Sequence, residues 1–503
     1  VRILYIDLDS CRPDHLGCYG YHRNTSPHID AIAREGMRFN NFHTSDAPCL
    51  PSRTAMYSGR FGIQTGVVGH GGTAASIKVE GPSRDFRDTY FSQGLAHQLQ
   101  KLGYHTAMVS PFGQRHAAHW FYAGFNEIHN SGDNGMESAE QVWPYIDKWL
   151  NANAADDSWF LHVNFWDIHT PYRAPLEYGE PFANDPLPAW LEKDAEEIIA
   201  RHNKLTGPHT SLDFEMYDER TNPRYPRHPG SIRNREDLRR VFNGYDTAVR
   251  YVDDHVGRIV EKLKSAVVYE DTVIIISADH GENLGELGIY GEHGTADSAT
   301  CRIPLVIKWP GGATGVNSKF HYNVDLAPTL MDLLGGKQQP LWDGTSFAPA
   351  VRSGDAATGR DEIVISQCAH VCQRSVRWGD WLYMRTYHDG FHLFPQEMLY
   401  HLADDPHEQH DVAAAHPEIL REGAWRLARW HDAQMQKMAV QVNDSVDPLW
   451  TVIREGGPLH ARSTLPGDPG GLEGIARYIE RLESTGRAEG AAILRARYLN
   501  PPA

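Results

Sequence analysis

No stretch of this 503-residue chain approaches the roughly 18 consecutive apolar residues that a membrane-crossing helix needs, so a transmembrane span is not expected. Cysteine is scarce. Six of them (Cys11, Cys18, Cys49, Cys301, Cys368, Cys372) are too few in so long a chain to form a disulfide framework. Cys368 and Cys372 have neither the spacing of a CxxC pair nor a second pair, which argues against zinc there and for buried thiols. Positive charge is also short: 48 Lys and Arg stand against 65 Asp and Glu, a net charge of −17. That balance speaks against nonspecific binding to nucleic acid or to an anionic membrane, and it obliges any anionic ligand to find a locally basic pocket. No secretory leader is expected in these residues, because Arg2-Ile3-Leu4-Tyr5-Ile6-Asp7-Leu8-Asp9 reads at once as a buried strand. A cytoplasmic location is expected, or a secreted or periplasmic one if a leader has been removed. There is no internal repeat and no low-complexity tract.

What is present is a large soluble core, 41% hydrophobic, in which strand-like runs alternate with helical ones. The runs Ile3–Leu8, His105–Val109, Trp159–Phe165, Val273–Ser277, Pro304–Lys308 and Glu362–Ser366 predict an α/β fold with a mostly parallel central sheet sandwiched by helices. Between two of them, Leu238, Val241, Phe242, Tyr245, Val249, Val252, Val256, Ile259, Val260 and Leu263 recur at spacings of three and four, one apolar stripe of a long helix. Residues 1–360 are read as the catalytic domain, with residues 174–234, rich in Pro, Asp, Arg and His, as an insertion that shapes a substrate site or an interface. Short strands at Ser375–Trp378, Trp381–Arg385 and Met398–His401, with a helix near Pro417–Met438, predict a smaller C-terminal subdomain with an antiparallel sheet over 361–442. A Gly- and Pro-rich extension that ends in an Ala- and Arg-rich helix fills 443–503.

Open parallel sheets collect ligands at the carboxyl ends of their strands. Three strands here run into ionisable residues: Asp7-Leu8-Asp9, Asp167-Ile168-His169 and Asp279-His280-Gly281. Carboxylates two apart on a strand share a face, and such oxygens with one imidazole suit a hard cation, Ca²⁺, Mg²⁺ or Mn²⁺, better than zinc. The segment Cys49-Leu50-Pro51-Ser52-Arg53-Thr54-Ala55-Met56-Tyr57-Ser58-Gly59-Arg60 has Pro near its start and Gly near its end, which brackets a short helix with Cys49 at the anion-favouring amino end. A cysteine-phosphatase loop would also put Cys there, but it wants Arg where Ala55 stands.

Cys49-x-Pro51-Ser52-Arg53 followed by Gly59-Arg60 resembles the signature of the type I sulfatases, a formylglycine-dependent family of the alkaline phosphatase superfamily. Asp9 with Pro13-Asp14-His15-Leu16-Gly17-Cys18-Tyr19-Gly20 and Ser26-Pro27-His28-Ile29-Asp30 looks like the family's first metal segment, and Ala278-Asp279-His280-Gly281-Glu282 like its second. Arg302-Ile303-Pro304-Leu305-Val306 with Trp309-Pro310-Gly311, and Leu399-Tyr400-His401-Leu402 with Asp405-Pro406 and Glu408, agree further along. The likeness spans about 2–412 outside the insertion. It implies that a maturase oxidises Cys49 to formylglycine, that Asp9, Asp279 and His280 hold one divalent ion, expected to be Ca²⁺, that Arg53 steadies the formylglycine, and that His169 assists the leaving group.

Three departures from the family pattern stand out. Ser10 occupies the place of a second Asp, and Asp7 is expected to compensate as a metal ligand. Pro111 and Gly113 stand where a Lys-x-His pair is usual. Glu292 takes the place of a Lys. Arg115, His116 and His293 are expected to replace those cations as the substrate-binding side. The function expected is hydrolysis of a sulfate ester on a carbohydrate, such as a glycosaminoglycan fragment. The alternatives are a phosphonate monoester or phosphodiester hydrolase of the same superfamily, or a catalytically silent glycan-binding homologue. Beyond the sulfated sugar and the maturase, no nucleic-acid or membrane partner is expected.

Overall fold

β-Branched and aromatic runs without Gly or Pro set the strands, and flanking Gly, Pro and Asp residues end them. The computed structural model describes residues 1–78, 89–202, 221–390, 392–441, 444–458 and 471–499. In chain order its strands are β1 (Arg2–Leu8), β2 (Met37–His43), β3 (Asp46–Ala47), β4 (His105–Val109), β5 (Glu127–His129), β6 (Trp159–Phe165), β7 (Thr272–Ser277), β8 (Asn283–Leu284), β9 (Tyr290–Glu292), β10 (Arg302–Ile303), β11 (Leu305–Lys308), β12 (Gly315–Tyr322), β13 (Glu362–Gln367), β14 (Cys372–Trp378), β15 (Trp381–His388) and β16 (Glu397–His401).

The large sheet has nine strands in the order β10-β2-β11-β7-β1-β6-β4-β5, with β12 beside β2. From β7 to β5 every pairing is parallel, and β11 runs antiparallel to both β7 and β2. β1, β6 and β7 are buried at every position, as strands covered on both faces must be. The helix Arg235–Ser265 covers one face. Its first turn is closed by the Asn234 side chain, which accepts from the Asp237 amide, and its buried stripe includes the ten apolar residues whose spacing predicts it.

The expected α/β architecture with a smaller antiparallel subdomain is the one observed, with two differences in detail. The run at Glu362–Ser366 does not join the central sheet. It forms β13 of a five-stranded sheet, β16-β15-β14-β13-β3. That sheet also takes in β3, two residues before Cys49, as a parallel partner of β13, and so ties the subdomain to the nucleophile segment. β2 and β12 escape the sequence reading because Asn40, Asn41, Asn317 and Ser318 interrupt their apolar pattern. Within the 174–234 insertion, Ala189–His202 is helical and packs Trp190 against Phe242 and His407, where its sequence shows only weak periodicity. Residues 203–220 of the insertion lie outside the described residues. Among the described residues no helix is long and apolar enough to cross a membrane.

The helix Cys49–Ser58 is buried at all its positions and ends where Gly59 turns left-handed, at φ 66°. A Cβ at Gly59 would come within 2.6 Å of the Trp342 ring. Gly59→Ala therefore adds a clash to a left-handed penalty of roughly 1–2 kcal/mol, and it should lower the denaturant midpoint of unfolding with little change in slope.

Candidate active site

The parallel register puts the candidate residues together. Asp7 of β1 pairs with Ser277 of β7, and Leu8 pairs with Phe165 of β6. Asp9, Asp279 and the 166–169 loop therefore leave the same edge of the sheet side by side, and the turn after β4 brings Phe112–Arg115 to that edge as well. The Cys49–Ser58 helix points its amino end at this edge. It is held there by Ser52 Oγ, which donates to the Asp279 carbonyl at 2.6 Å, and by Asn323 Nδ2, which donates to the Ser52 carbonyl at 3.0 Å.

One turn along from Cys49, the Arg53 guanidinium fills the space among three carboxylates. Its Nε lies 2.7 Å from Asp7 Oδ2, its Nη2 3.0 Å from Asp9 Oδ2 and its Nη1 2.7 Å from Asp279 Oδ2. The rings of Phe112 and Trp166 close over it, with centroids 4.4 and 5.4 Å from its Cζ. Three buried carboxylates around one guanidinium are an excess of acidic groups in a place where burying charge is costly: burial first, and then Asp9 and Asp7 against the pull of Arg53, pushes Asp279 well above its ordinary value.

Asp9, Cys49, Asp279 and His280 each present a ligand atom within 4.8 Å of the others, so the donor set fits one divalent cation that would offset that excess. His280 is prepared for this role. Its Nδ1 donates to the Gly281 carbonyl at 2.7 Å, which leaves the Nε2 lone pair 3.0 Å from Cys49 Sγ and 3.3 Å from Asp279 Oδ2. Burial pulls His280 down to about 4, so the ring is neutral at pH 7, as a ligand must be. The Cys49 thiol is pushed well above its ordinary value, first by burial and then by Asp9 and Asp279, the opposite of what a cysteine nucleophile requires.

Asp7 stands apart from this group. Its Oδ2 is engaged by Arg53 Nε and, at 3.3 Å, by His162 Nε2, and it is not among the residues whose ligand atoms converge. The geometry gives it the role of anchoring Arg53 in place of the ligand role expected for it.

The expected leaving-group and substrate residues do gather here. His169 is buried, its Nδ1 donates to the Thr170 carbonyl at 2.6 Å, and its ring lies 6.2 Å from His280 and 4.9 Å from His293. Burial, followed by His293, Arg115 and Arg173, keeps it well below its ordinary value, so its resting form is neutral with Nε2 free of a proton. His293 stacks on His280 at 4.4 Å and is likewise pulled down by burial, to about 4. Arg115 lies over Trp166, 5.2 Å from the ring centroid, close enough to lower both Asp9 and Cys49 electrostatically. His116 packs against Phe112 and His70.

The missing family cations have physical explanations. At Gly113, the place of the pair's histidine, a Cβ would meet the Tyr122 ring at 2.8 Å, so any side chain there would have to displace that ring. Glu292 is buried and takes His370 Nδ1 at 2.8 Å and His392 Nε2 at 3.1 Å, two histidines carried in by the smaller subdomain.

Several residues of the site carry no recognisable signal in the sequence. His70 Nε2 sits 3.4 Å from the Leu50 amide, next to Cys49. Glu282 accepts from Tyr172 Oη at 2.6 Å and from the Thr170 amide at 3.3 Å, with His293 Nδ1 3.8 Å away, so it supports both histidine-bearing loops. Only Glu282 had a cue, since it stands inside the Ala278–Glu282 segment. His70, His370, His392 and Arg173 lie on loops whose convergence is purely spatial.

Comparison with known proteins agrees with this geometry. Residues 2–336 match the family model described as Sulfatase, and the chain belongs to that family. A choline-sulfatase of Rhizobium meliloti is 25% identical over 484 residues, covering 85% of this chain and 86% of its own. An N-acetylglucosamine-6-O-sulfatase of Bacteroides thetaiotaomicron is 24% identical over 414 residues, 70% of this chain and 71% of its own. Among solved structures, a phosphonate monoester hydrolase of Agrobacterium radiobacter superposes with a TM-score of 0.66 at 21% identity, covering 86% of this chain and 96% of its own. A protein solved in complex with D-glucosamine-2-N,6-O-disulfate does so with a TM-score of 0.66 at 20% identity, covering 88% and 99%. Both likenesses are in fold. Membership of the family makes the chain a sulfuric ester hydrolase.

Asp9→Asn and Asp279→Asn should each reduce bound divalent metal measured by elemental analysis. Asp7→Asn should keep the metal yet lose stability by about 3–5 kcal/mol, the usual cost of breaking a buried ion pair. Loss of metal from Asp7→Asn would return Asp7 to the ligand set.

Proposed function

We propose that the protein hydrolyses a sulfate ester of a sulfated carbohydrate, using a formylglycine made from Cys49 and one divalent cation, Ca²⁺ by the chemistry of its oxygen donors. The observation that carries this reading is the position of Cys49: a thiol unsuited to act as itself, at a helix amino end, among the donors of a cation site. The hydrated aldehyde would supply an oxygen nucleophile and the cation the charge that holds it against the sulfate.

The chain's own residues do the rest. Asp9, Asp279 and His280 would bind the cation, and Arg53, held rigid by Asp7, Asp9 and Asp279, sets its positive charge beside the nucleophile. Arg115, His116 and His293 line the face where the sulfate oxygens lie. His169 is fixed by the Thr170 carbonyl with Nε2 directed at the leaving oxygen; the negative charge of a bound sulfate ester favours its protonated form, and it delivers that proton to the departing alcohol. The named substrates of the N-acetylglucosamine-6-O-sulfatase and of the glucosamine-disulfate complex support a sugar as the alcohol.

A phosphonate monoester or phosphodiester hydrolase is the second reading. Pro111 and Glu292 favour it, since they stand where related sulfatases carry lysines, and the fold of the Agrobacterium enzyme is in keeping with it. One purified sample, coexpressed with a maturase, decides between them when assayed on sulfated mono- and disaccharides, choline sulfate and an aryl phosphodiester. Preference for the sugar sulfates supports the first reading, and preference for the phosphodiester replaces it.

Two outcomes are expected of the mechanism. Peptide mass spectrometry should find residue 49 as formylglycine in active protein, and Cys49→Ala should keep the fold and lose turnover; full activity in that variant would remove the nucleophile. His169→Ala should slow a sugar sulfate by about 10² to 10⁴ but an activated aryl sulfate far less, because a good leaving group needs no proton. Equal losses on both would assign His169 to binding.

A further inference from the structure

We infer that the cavity lined by Arg173 and Arg224 is a second anion-binding subsite, which holds another negatively charged group, sulfate or carboxylate, on the same carbohydrate whose sulfate ester lies at Cys49. The inference rests on the proposed function, and it makes the substrate polyanionic.

The cavity has a volume of about 220 Å³, room for an oxyanion rather than a single water, and its walls include Gln141, Tyr172, Arg173, Arg224 and Tyr225. No acidic side chain lines it, in a chain whose net charge is −17. Arg173 is 7% exposed, and its guanidinium is only partly used: Nη1 donates to the Trp166 carbonyl, Nη2 reaches the Thr170 carbonyl at 3.4 Å and Met136 Sδ at 3.6 Å, and the buried Nε has no hydrogen-bond partner. Burial pulls it down to about 10, so it remains a cation at neutral pH. Arg224, from the 174–234 insertion, is exposed and stacks at 5.4 Å over the Tyr225 ring, a placement that leaves its donors available. Among the described residues neither arginine has a carboxylate within ion-pairing distance. Arg227 in the same wall shows the contrast, because Glu180 Oε1 neutralises it at 2.7 Å and carbonyls of the 174–179 segment take its remaining donors.

The cavity is linked to the active site through Arg173. That residue follows His169 by four positions, bonds the Thr170 carbonyl beside it, and feels both Arg115 and Asp9 electrostatically. Arg115 in turn donates to the Gly135 carbonyl at 3.2 Å, next to Met136 of the cavity wall. Arg115, Arg173 and Arg224 thus form a row of cations leading away from Cys49, and guanidinium forks match the oxygens of sulfate and carboxylate. A substrate with one charged group would use the first of them; a substrate with two would engage the row. The insertion then has a defined task, since it supplies Arg224 and Tyr225.

The test is calorimetric binding to the full chain carrying Cys49→Ala, in calcium buffer, so that no probe is turned over. The probes are N-acetyl-D-glucosamine 6-sulfate, D-glucosamine-2-N,6-O-disulfate and a 6-sulfated disaccharide of N-acetylglucosamine and a uronate. At least one of the two doubly charged probes should bind roughly ten- to a hundredfold tighter than the singly charged one, as expected for a charged hydrogen bond. Which one does so identifies the second group as sulfate or carboxylate. Arg224→Glu, a surface change, should erase that preference, and Arg173→Lys, which keeps charge but loses the fork, should weaken it. Equal affinity for all three probes, or an unchanged preference in Arg224→Glu, overturns the subsite. If the Cys49 enzyme turns over none of the sulfate esters while the preference and its loss persist, the proposed function fails and the subsite stands.

Discussion

The site is organised by the burial of one guanidinium among three carboxylates. Arg53 cannot be taken from water without partners, and Asp7, Asp9 and Asp279 cannot be packed together without a cation. Each makes the others possible, and together they oblige the Cys49–Ser58 helix to lie across the carboxyl ends of β1 and β7. Three carboxylates around one guanidinium leave acidic groups in excess, and that excess makes the place a candidate cation site rather than a closed ion pair. The crowding of carboxylates that would destabilise a closed core is also what would attract a cation.

Around that centre the pocket is walled by histidines, most of them kept neutral by burial. His280 and His293 are stacked, His169 is fixed by a carbonyl, and His370 and His392 are committed to Glu292. Neutral rings supply directional hydrogen bonds without adding positive charge, so the arginines carry the task of attracting an anion. The smaller sheet takes part in this. Through β3 it grips the approach to Cys49, and through His370 and His392 it buries the glutamate that stands where a lysine is usual. The subdomain is therefore a wall of the active site as well as an appendage.

The strands that hold the site were legible because β-branched and aromatic residues dominate them despite Asp7, His162 and Asn164, and the long helix because its stripe repeats over its whole length. β2 and β12 were not, since asparagines and serine break their pattern and only their neighbours reveal them as strands. The candidate ligands Asp9, Asp279 and His280, with Cys49 and Arg53, could be named from short segments whose chemistry is local to a strand end or a helix start. Asp7 shows the limit of that reasoning. Alternation along β1 puts it on the face of Asp9, but whether it reaches a cation or a guanidinium depends on where Arg53 arrives from another part of the chain.

The sequence by itself determined the class of fold and pointed to a candidate nucleophile segment and candidate cation donors, because each lies in a short segment whose geometry the backbone period sets. Only the tertiary structure decided the division of labour between Asp7 and Asp9, the reason Gly113 excludes a side chain, the capture of Glu292 by two distant histidines, and the row of arginines from Arg115 to Arg224. Those are contacts between segments tens to hundreds of residues apart. Their energies depend on burial and on which charges are left unpaired, and neither quantity exists until the chain has folded.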